Sequence, residues 1–181
     1  MFTFWKEILS KEPKNPSVNI LKKKPTMSKS KYNLSSRSLS KLDGVEDNLV
    51  RVVKKAIQLT KVDFGVTCGV RTYAEQKRLV ASGASQTMKS KHLTGNAVDV
   101  MAYLNGAGSW DLSLYDDICD AMAEAARQEG VAVKWGAAWS EGDIRYYKGT
   151  AQEAMDSYVA LRRSEGRRPF IDGPHYELIR G

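Results

Sequence analysis

The chain has two histidines, His92 and His175, and each sits inside a short cluster of groups that can hold a cation and handle protons. One cluster reads Ser90-Lys91-His92-Leu93-Thr94-Gly95-Asn96-Ala97-Val98-Asp99, and the other reads Asp172-Gly173-Pro174-His175-Tyr176-Glu177. If the two act together, the fold must bring distant segments side by side. Two imidazoles and one carboxylate make a three-ligand zinc site, whose fourth tetrahedral position is left for water, as in catalytic rather than structural centres. The local patterns suit such a meeting. Gly95 permits a tight turn, and the β-branched run after it reads as a strand that carries Asp99 back toward His92. In the closing segment His175 and Glu177 share one strand face by period two, and Asp172 stands just before it, near enough to reach water at the metal.

The rest of the pattern bounds the architecture. A chain of 181 residues is long enough for one domain with a real core, plus a tail. Helical spacing of Leu49, Val52, Val53, Ala56 and Ile57 predicts a first core helix from Glu46. Val62, Phe64, Val66 and Cys68 alternate as a strand, and a helix is expected over 74–81. After the His92 cluster, 97–103 reads as a buried strand. A longer helix at 112–128 is stopped by Gly130. Strands are expected at 131–135 and 175–179, and a helix-like insert at 149–164, inside a less regular stretch from 140 to 170. In that insert Met155, Tyr158 and Leu161 are expected to pack on the core. No regular βαβ repeat is visible, so the class is α+β, a small mixed sheet with packed helices.

Residues 1–36 are set apart as a tail and 37–181 as the folded domain. The tail holds Pro13, Pro16, Pro25, the run Lys22-Lys23-Lys24 and many serines, a composition too poor in apolar surface to order itself. A short amphipathic helix is expected at 2–10, and Met27 is an alternative start. The formal net charge of +7 lies wholly in residues 1–44, which hold ten Lys+Arg against three Asp+Glu; the remainder holds 18 of each sign. A basic tail on a neutral domain points to weak attraction toward an anionic surface and away from a nucleic-acid-reading fold. No stretch approaches the roughly 20 apolar residues of a membrane span. The N-terminus has no signal-peptide pattern either, so the chain is expected to begin in the cytoplasm. Cys68 and Cys119 have no CxxC pairing and are expected to be buried free thiols.

Ser90-x-His92-x-x-Gly95-x-Ala97-x-Asp99 matches in full the SxHxxGxAxD signature of the zinc peptidase family that contains the D-alanyl-D-alanine carboxypeptidases and shares its fold with the Hedgehog signalling domain. Asp172-x-x-His175-x-Glu177 resembles that family's second motif. Residues 37–181 look most like its phage endolysins, which cleave the L-alanyl-D-glutamate bond of peptidoglycan; Gly69-Val70-Arg71-Thr72 and Trp135-Gly136-Ala137-Ala138-Trp139 add to the likeness. The resemblance implies zinc held by His92, Asp99 and His175, with Asp172 as general base. Arg71 would stabilise the developing oxyanion or grip a substrate carboxylate. Ser90 and Glu177 would orient the ligands through hydrogen bonds, and Trp139, Trp135 and Tyr103 are candidates to line the substrate groove. Many family members carry Glu where this chain has Asp172. Asp is common in the endolysin branch, which favours endopeptidase over D-alanyl-D-alanine carboxypeptidase activity. The resemblance further implies a monomer that acts on the stem peptide of the cell wall after release from the host bacterial cytoplasm. A non-catalytic zinc domain that binds cell wall or a protein partner is the alternative from another class.

Overall fold

In the computed structural model, which describes residues 30–179, one face of an antiparallel sheet is covered by helices because those helices carry apolar stripes there. The expected helix at 2–10 and Met27 lie outside the described residues. Helix α1 (Ser36–Lys41) and α2 (Asp47–Ala56) precede strand β1 (Asp63–Cys68) and α3 (Tyr73–Ala81). Strands β2 (Ala97–Leu104) and β3 (Ala107–Ser109) form a hairpin, followed by α4 (Leu112–Glu129), β4 (Val133–Trp135), α5 (Ala151–Ser164) and β5 (His175–Leu178). The strand order is β1-β2-β5-β4, with β3 paired to β2. Each of these pairings is antiparallel, where the sequence pattern suggests a mixed sheet.

The core follows from periodicity. Leu49, Val52, Val53 and Ala56 line one face of α2, and Tyr115, Ile118, Cys119, Met122, Ala125 and Ala126 line one face of α4. They close over Val98, Val100 and Ala102 of β2 and over Tyr176 and Leu178 of β5. Alternation then turns Asp99, His175 and Glu177 to the opposite face of the sheet. Tyr32 and Leu34, on the tail side of the expected boundary at residue 36, also pack against this core. Ser38 of α1 is buried, and its hydroxyl accepts the Val66 N–H of β1 at 3.1 Å, which covers part of an edge strand.

Three local expectations change. The strand anticipated at 131–135 begins at Val133, because the Val131 N–H is still satisfying the Ala126 carbonyl (3.0 Å) beyond the left-handed Gly130 cap of α4. Met155 and Tyr158 of α5 are buried as expected, but Leu161 faces solvent. Cys119 is buried, whereas Cys68 is only partly so. The β1–β2 register slips between Val66 and Cys68, and this bulge breaks the alternation that would have kept Cys68 in the core.

Candidate metal centre and active-site cleft

Asp99 of β2 and His175 of β5 are direct cross-strand partners, so their side chains rise together from the open face of the sheet. His92 joins them from the 3₁₀ turn Lys91–Thr94 that leads into β2. The Ser90 hydroxyl caps this turn by accepting the His92 N–H at 3.4 Å, so Ser90 acts on the histidine's main chain, not its ring. Gly95 ends the turn with a φ of 67°, and a side chain there would strike the Gly44 carbonyl.

Three atoms able to ligate a cation converge. Asp99 Oδ1 lies 3.1 Å from His92 Nε2 and 3.0 Å from His175 Nδ1, and the two nitrogens are 3.3 Å apart. Zinc bonds of about 2.0–2.1 Å in a tetrahedron require ligand atoms about 3.3 Å apart, which this triangle matches to within a few tenths of an ångström. The other nitrogen of each ring is engaged outward. His92 Nδ1 meets the Gly69 carbonyl at 2.7 Å and His175 Nε2 meets Glu177 at 3.3 Å. Both partners accept, so in the neutral ring each outward nitrogen carries the proton and each inward nitrogen keeps the lone pair that a cation would need.

Cys68, His92 and Asp99 also offer ligand atoms within 4.8 Å of one another. It is a second candidate set for a cation, one that draws on Cys68 in place of His175. The Cys68 sulfur approaches Nδ1 of His92 at 3.8 Å, the nitrogen that Gly69 already engages, whereas Asp99 faces Nε2.

Electrostatics reflect the shared carboxylate. Burial opposes protonation of both histidines, but hydrogen bonds and the charge of Asp99 outweigh it, and without a metal His92 is pushed up to about 10 and His175 to about 9. Burial would raise Asp99, yet the two imidazoles hold it well below the usual carboxylate range. The Asp172 carboxyl is raised, chiefly by its own burial. Its turn is pinned from three directions. Its N–H donates to the Gly136 carbonyl (3.0 Å), its carbonyl accepts the His175 N–H (3.1 Å), and the buried Trp135 indole donates to the Gly173 carbonyl (2.7 Å).

Arg71 reaches Asp99 Oδ2 at 3.2 Å and Gln76 Oε1 at 2.7 Å, so its guanidinium braces the Asp99 carboxylate from behind. These groups line a cleft of about 800 Å³ that takes in Arg71, His92, Asp99, Asp172, His175 and Glu177. Trp139 lies in its wall, 5.6 Å from the His175 ring and stacked on Phe170, and its indole donates to the Phe170 carbonyl at 3.1 Å. Trp135 is fully buried and Tyr103 lies outside the cleft lining, so neither takes the groove position anticipated for it. Sequence reasoning missed Trp110, 71% exposed at the cleft, and Phe170, because a lone aromatic in a loop carries no periodic signal. It also missed Gln76, which is buried behind Arg71.

Known proteins resemble the chain along most of its length. The L-alanyl-D-glutamate peptidase of Escherichia phage T5 is 29% identical over 153 residues, covering 82% of this chain and 98% of that protein. The L-alanyl-D-glutamate peptidase of a Listeria phage is 30% identical over 108 residues, which are 58% of this chain and 37% of that longer protein. The crystal structure of the Serratia marcescens L-Ala D-Glu endopeptidase ChiX superposes with a TM-score of 0.61 at 34% identity, covering 82% of this chain and 90% of that one. Residues 30–179, most of the chain, match the model of the phage L-alanyl-D-glutamate peptidases, and the protein belongs to that family.

Proposed function

We propose that the protein is a zinc peptidase that hydrolyses the L-alanyl-D-glutamate amide of the peptidoglycan stem peptide, with His92, Asp99 and His175 holding the metal. The observation that carries this reading is the triangle of inward-facing His92 Nε2, His175 Nδ1 and Asp99 Oδ1, with edges of 3.0–3.3 Å, at the floor of a cleft in a chain whose relatives are named for that bond. Two nitrogens and one oxygen at tetrahedral spacing suit zinc better than the all-oxygen shells that calcium and magnesium prefer.

Bound zinc supplies Lewis-acid chemistry, polarising the scissile carbonyl and making a nearby water easier to deprotonate. The chain's own groups do the rest. Asp172 takes a proton from the attacking water onto its carboxylate and hands it to the departing amine nitrogen as the C–N bond breaks. Its burial, which raises its affinity for a proton, suits both halves of that task. Glu177 and the Gly69 carbonyl fix the two ring orientations. Arg71 is committed to Asp99 and Gln76, so its part is to orient a ligand. The glutamyl carboxylate next to the scissile bond is left to the cleft-lining Lys89 and Lys91. The enzyme acts as a monomer on the cell wall after release from the host cytoplasm, and its basic N-terminal segment gives weak attraction to anionic envelopes. No helix among the described residues is long and apolar enough to cross a membrane.

Digestion of purified cell walls by the zinc-loaded protein, followed by mass spectrometry, tests the reading. Fragments with a new N-terminal glutamate, lost on chelation, are expected. Free D-alanine as the product would instead assign a carboxypeptidase. No chelator-sensitive product at all would leave a binding domain.

A further inference from the structure

Helix α3 docks in an unusual way. Of its nine residues, the one that is buried is a glutamine, Gln76, which is 0% exposed. An amphipathic helix normally docks through an apolar stripe, and a buried amide is tolerated only if its donors and acceptor are matched. Those of Gln76 are. Its Oε1 accepts from Arg71 at 2.7 Å, while its Nε2 donates to the Ser85 hydroxyl at 2.8 Å and to the Thr87 carbonyl at 2.6 Å. The amide orientation is fixed by its partners, because an arginine can only donate and a carbonyl can only accept.

The partners lie on two different bodies. Arg71 belongs to the metal centre: its side chain holds Asp99 Oδ2, and its main-chain N–H donates to the His92 carbonyl at 3.1 Å. Ser85 and Thr87 belong to the loop after α3, which with Ala84, Gln86 and Lys89 lines one wall of the cleft. Gln76 itself is not part of the cleft lining. We infer that Gln76 is a positioning residue that fastens the 84–89 wall of the cleft to Arg71, and so sets how tightly substrate is held without taking part in metal binding or in the chemistry. A single side chain thereby ties the geometry of a binding wall to the orientation of a ligand carboxylate.

Gln76→Glu separates the two halves of this role. A carboxylate still accepts from Arg71 and can accept from the Ser85 hydroxyl, but it has no proton for the Thr87 carbonyl and sets an oxygen against it. In the zinc-loaded enzyme the expected result is KM for a soluble muropeptide raised about tenfold, with kcat within about threefold and zinc stoichiometry unchanged. Amide hydrogen exchange should accelerate over residues 82–90 and not in β2 or β5. A fall in kcat at unchanged KM, or exchange over 82–90 equal to wild type, overturns the proposal. Should the variant not fold, Ser85→Ala carries the same test: faster loop exchange with a raised KM supports the proposal, and unchanged exchange overturns it. The kinetic arm rests on the proposed peptidase activity. The exchange arm does not, so an enzyme that cleaves no muropeptide would refute the function while leaving the role of Gln76 to be decided by exchange alone.

Discussion

Gly136→Ala should disarm the site without altering any side chain that touches metal or substrate. A Cβ at residue 136 would lie 2.5 Å from the Asp172 carbonyl oxygen, 3.0 Å from His175 Cβ and 3.1 Å from Asp172 Cβ. Ordinary contact begins at 3.4 Å, so the Asp172–His175 turn must retreat by the difference, about 0.9 Å. That movement stretches the Asp172 N–H bond to the Gly136 carbonyl and the Gly136 N–H bond to the His175 carbonyl from 3.0 and 2.9 Å to beyond bonding range. Each lost bond costs about 1 kcal/mol, and forcing a methyl into a packed site costs about 1–3 kcal/mol, so the fold should lose about 3–5 kcal/mol. Activity should suffer further, because a displacement of about 1 Å at reacting groups costs about 10²-fold. Denaturant unfolding gives the first quantity, and kcat/KM on a defined muropeptide, measured where the variant is still folded, gives the second. Gly166→Ala is the control: its φ is +67° with nothing within 4 Å of the new Cβ, so it should lose stability, by about 1–2 kcal/mol, and keep kcat/KM. Wild-type stability and turnover in Gly136→Ala would refute the reasoning.

Three further outcomes follow from the same geometry. Asp172→Ala should bind zinc with unchanged stoichiometry and lose about 10²–10⁴ in kcat, the usual worth of a general base; near wild-type turnover would remove Asp172 from the mechanism. Against the effect of burial, the shared Asp99 carboxylate pushes metal-free His92 up to about 10 and His175 up to about 9, so zinc would have to displace their protons. Zinc affinity should therefore climb as pH rises toward that range, and calorimetry in buffers of different ionisation enthalpy should show proton release at neutral pH; pH-independent affinity would contradict it. Linkage for these two raised groups gives the metal-free fold extra stability below about 6.5 that fades as pH rises through about 9–10. Asp116 has a buried carboxyl oxygen with no hydrogen-bond partner among the described residues, and burial, reinforced by the charge of Asp120, pushes it up to about 7. The folded state thus keeps a proton that the unfolded chain releases, and stability falls as pH rises from about 4 to about 7. Asp116→Asn should raise Tm at pH 8 and leave it unchanged at pH 4; equal effects at both values would refute the assignment.

The parts legible in the sequence are those that depend on spacing. Leu49, Val52, Val53 and Ala56 mark α2 by periodicity, and the alternation of Val98, Val100 and Ala102 marks a strand that must send Asp99 to the other face. His175 and Glu177 share that face for the same reason. What spacing could not supply is register. That Asp99 stands directly opposite His175 depends on how β2 and β5 pair, and the bulge that turns Cys68 out of the core depends on a slip between β1 and β2. Arg71 was a candidate from its motif, but its commitment to Asp99 and Gln76 is a tertiary contact with no local signature. The β2–β3 hairpin did have a local signal that went unread. Asn105-Gly106, with φ of 52° and 79°, is the preferred two-residue hairpin turn. Helix α1 is six residues long and serine-rich, too short and too polar to show a stripe.

X-ray absorption at the zinc edge of the loaded protein tests the central assignment most directly, because it separates the two ligand sets that the fold brings within reach. Ligation by His92, Asp99 and His175 requires a shell of nitrogen and oxygen at about 2.0–2.1 Å with imidazole outer-shell scattering, unchanged in Cys68→Ser. A sulfur scatterer at about 2.3 Å that disappears in Cys68→Ser would place the metal on Cys68 and contradict the assignment.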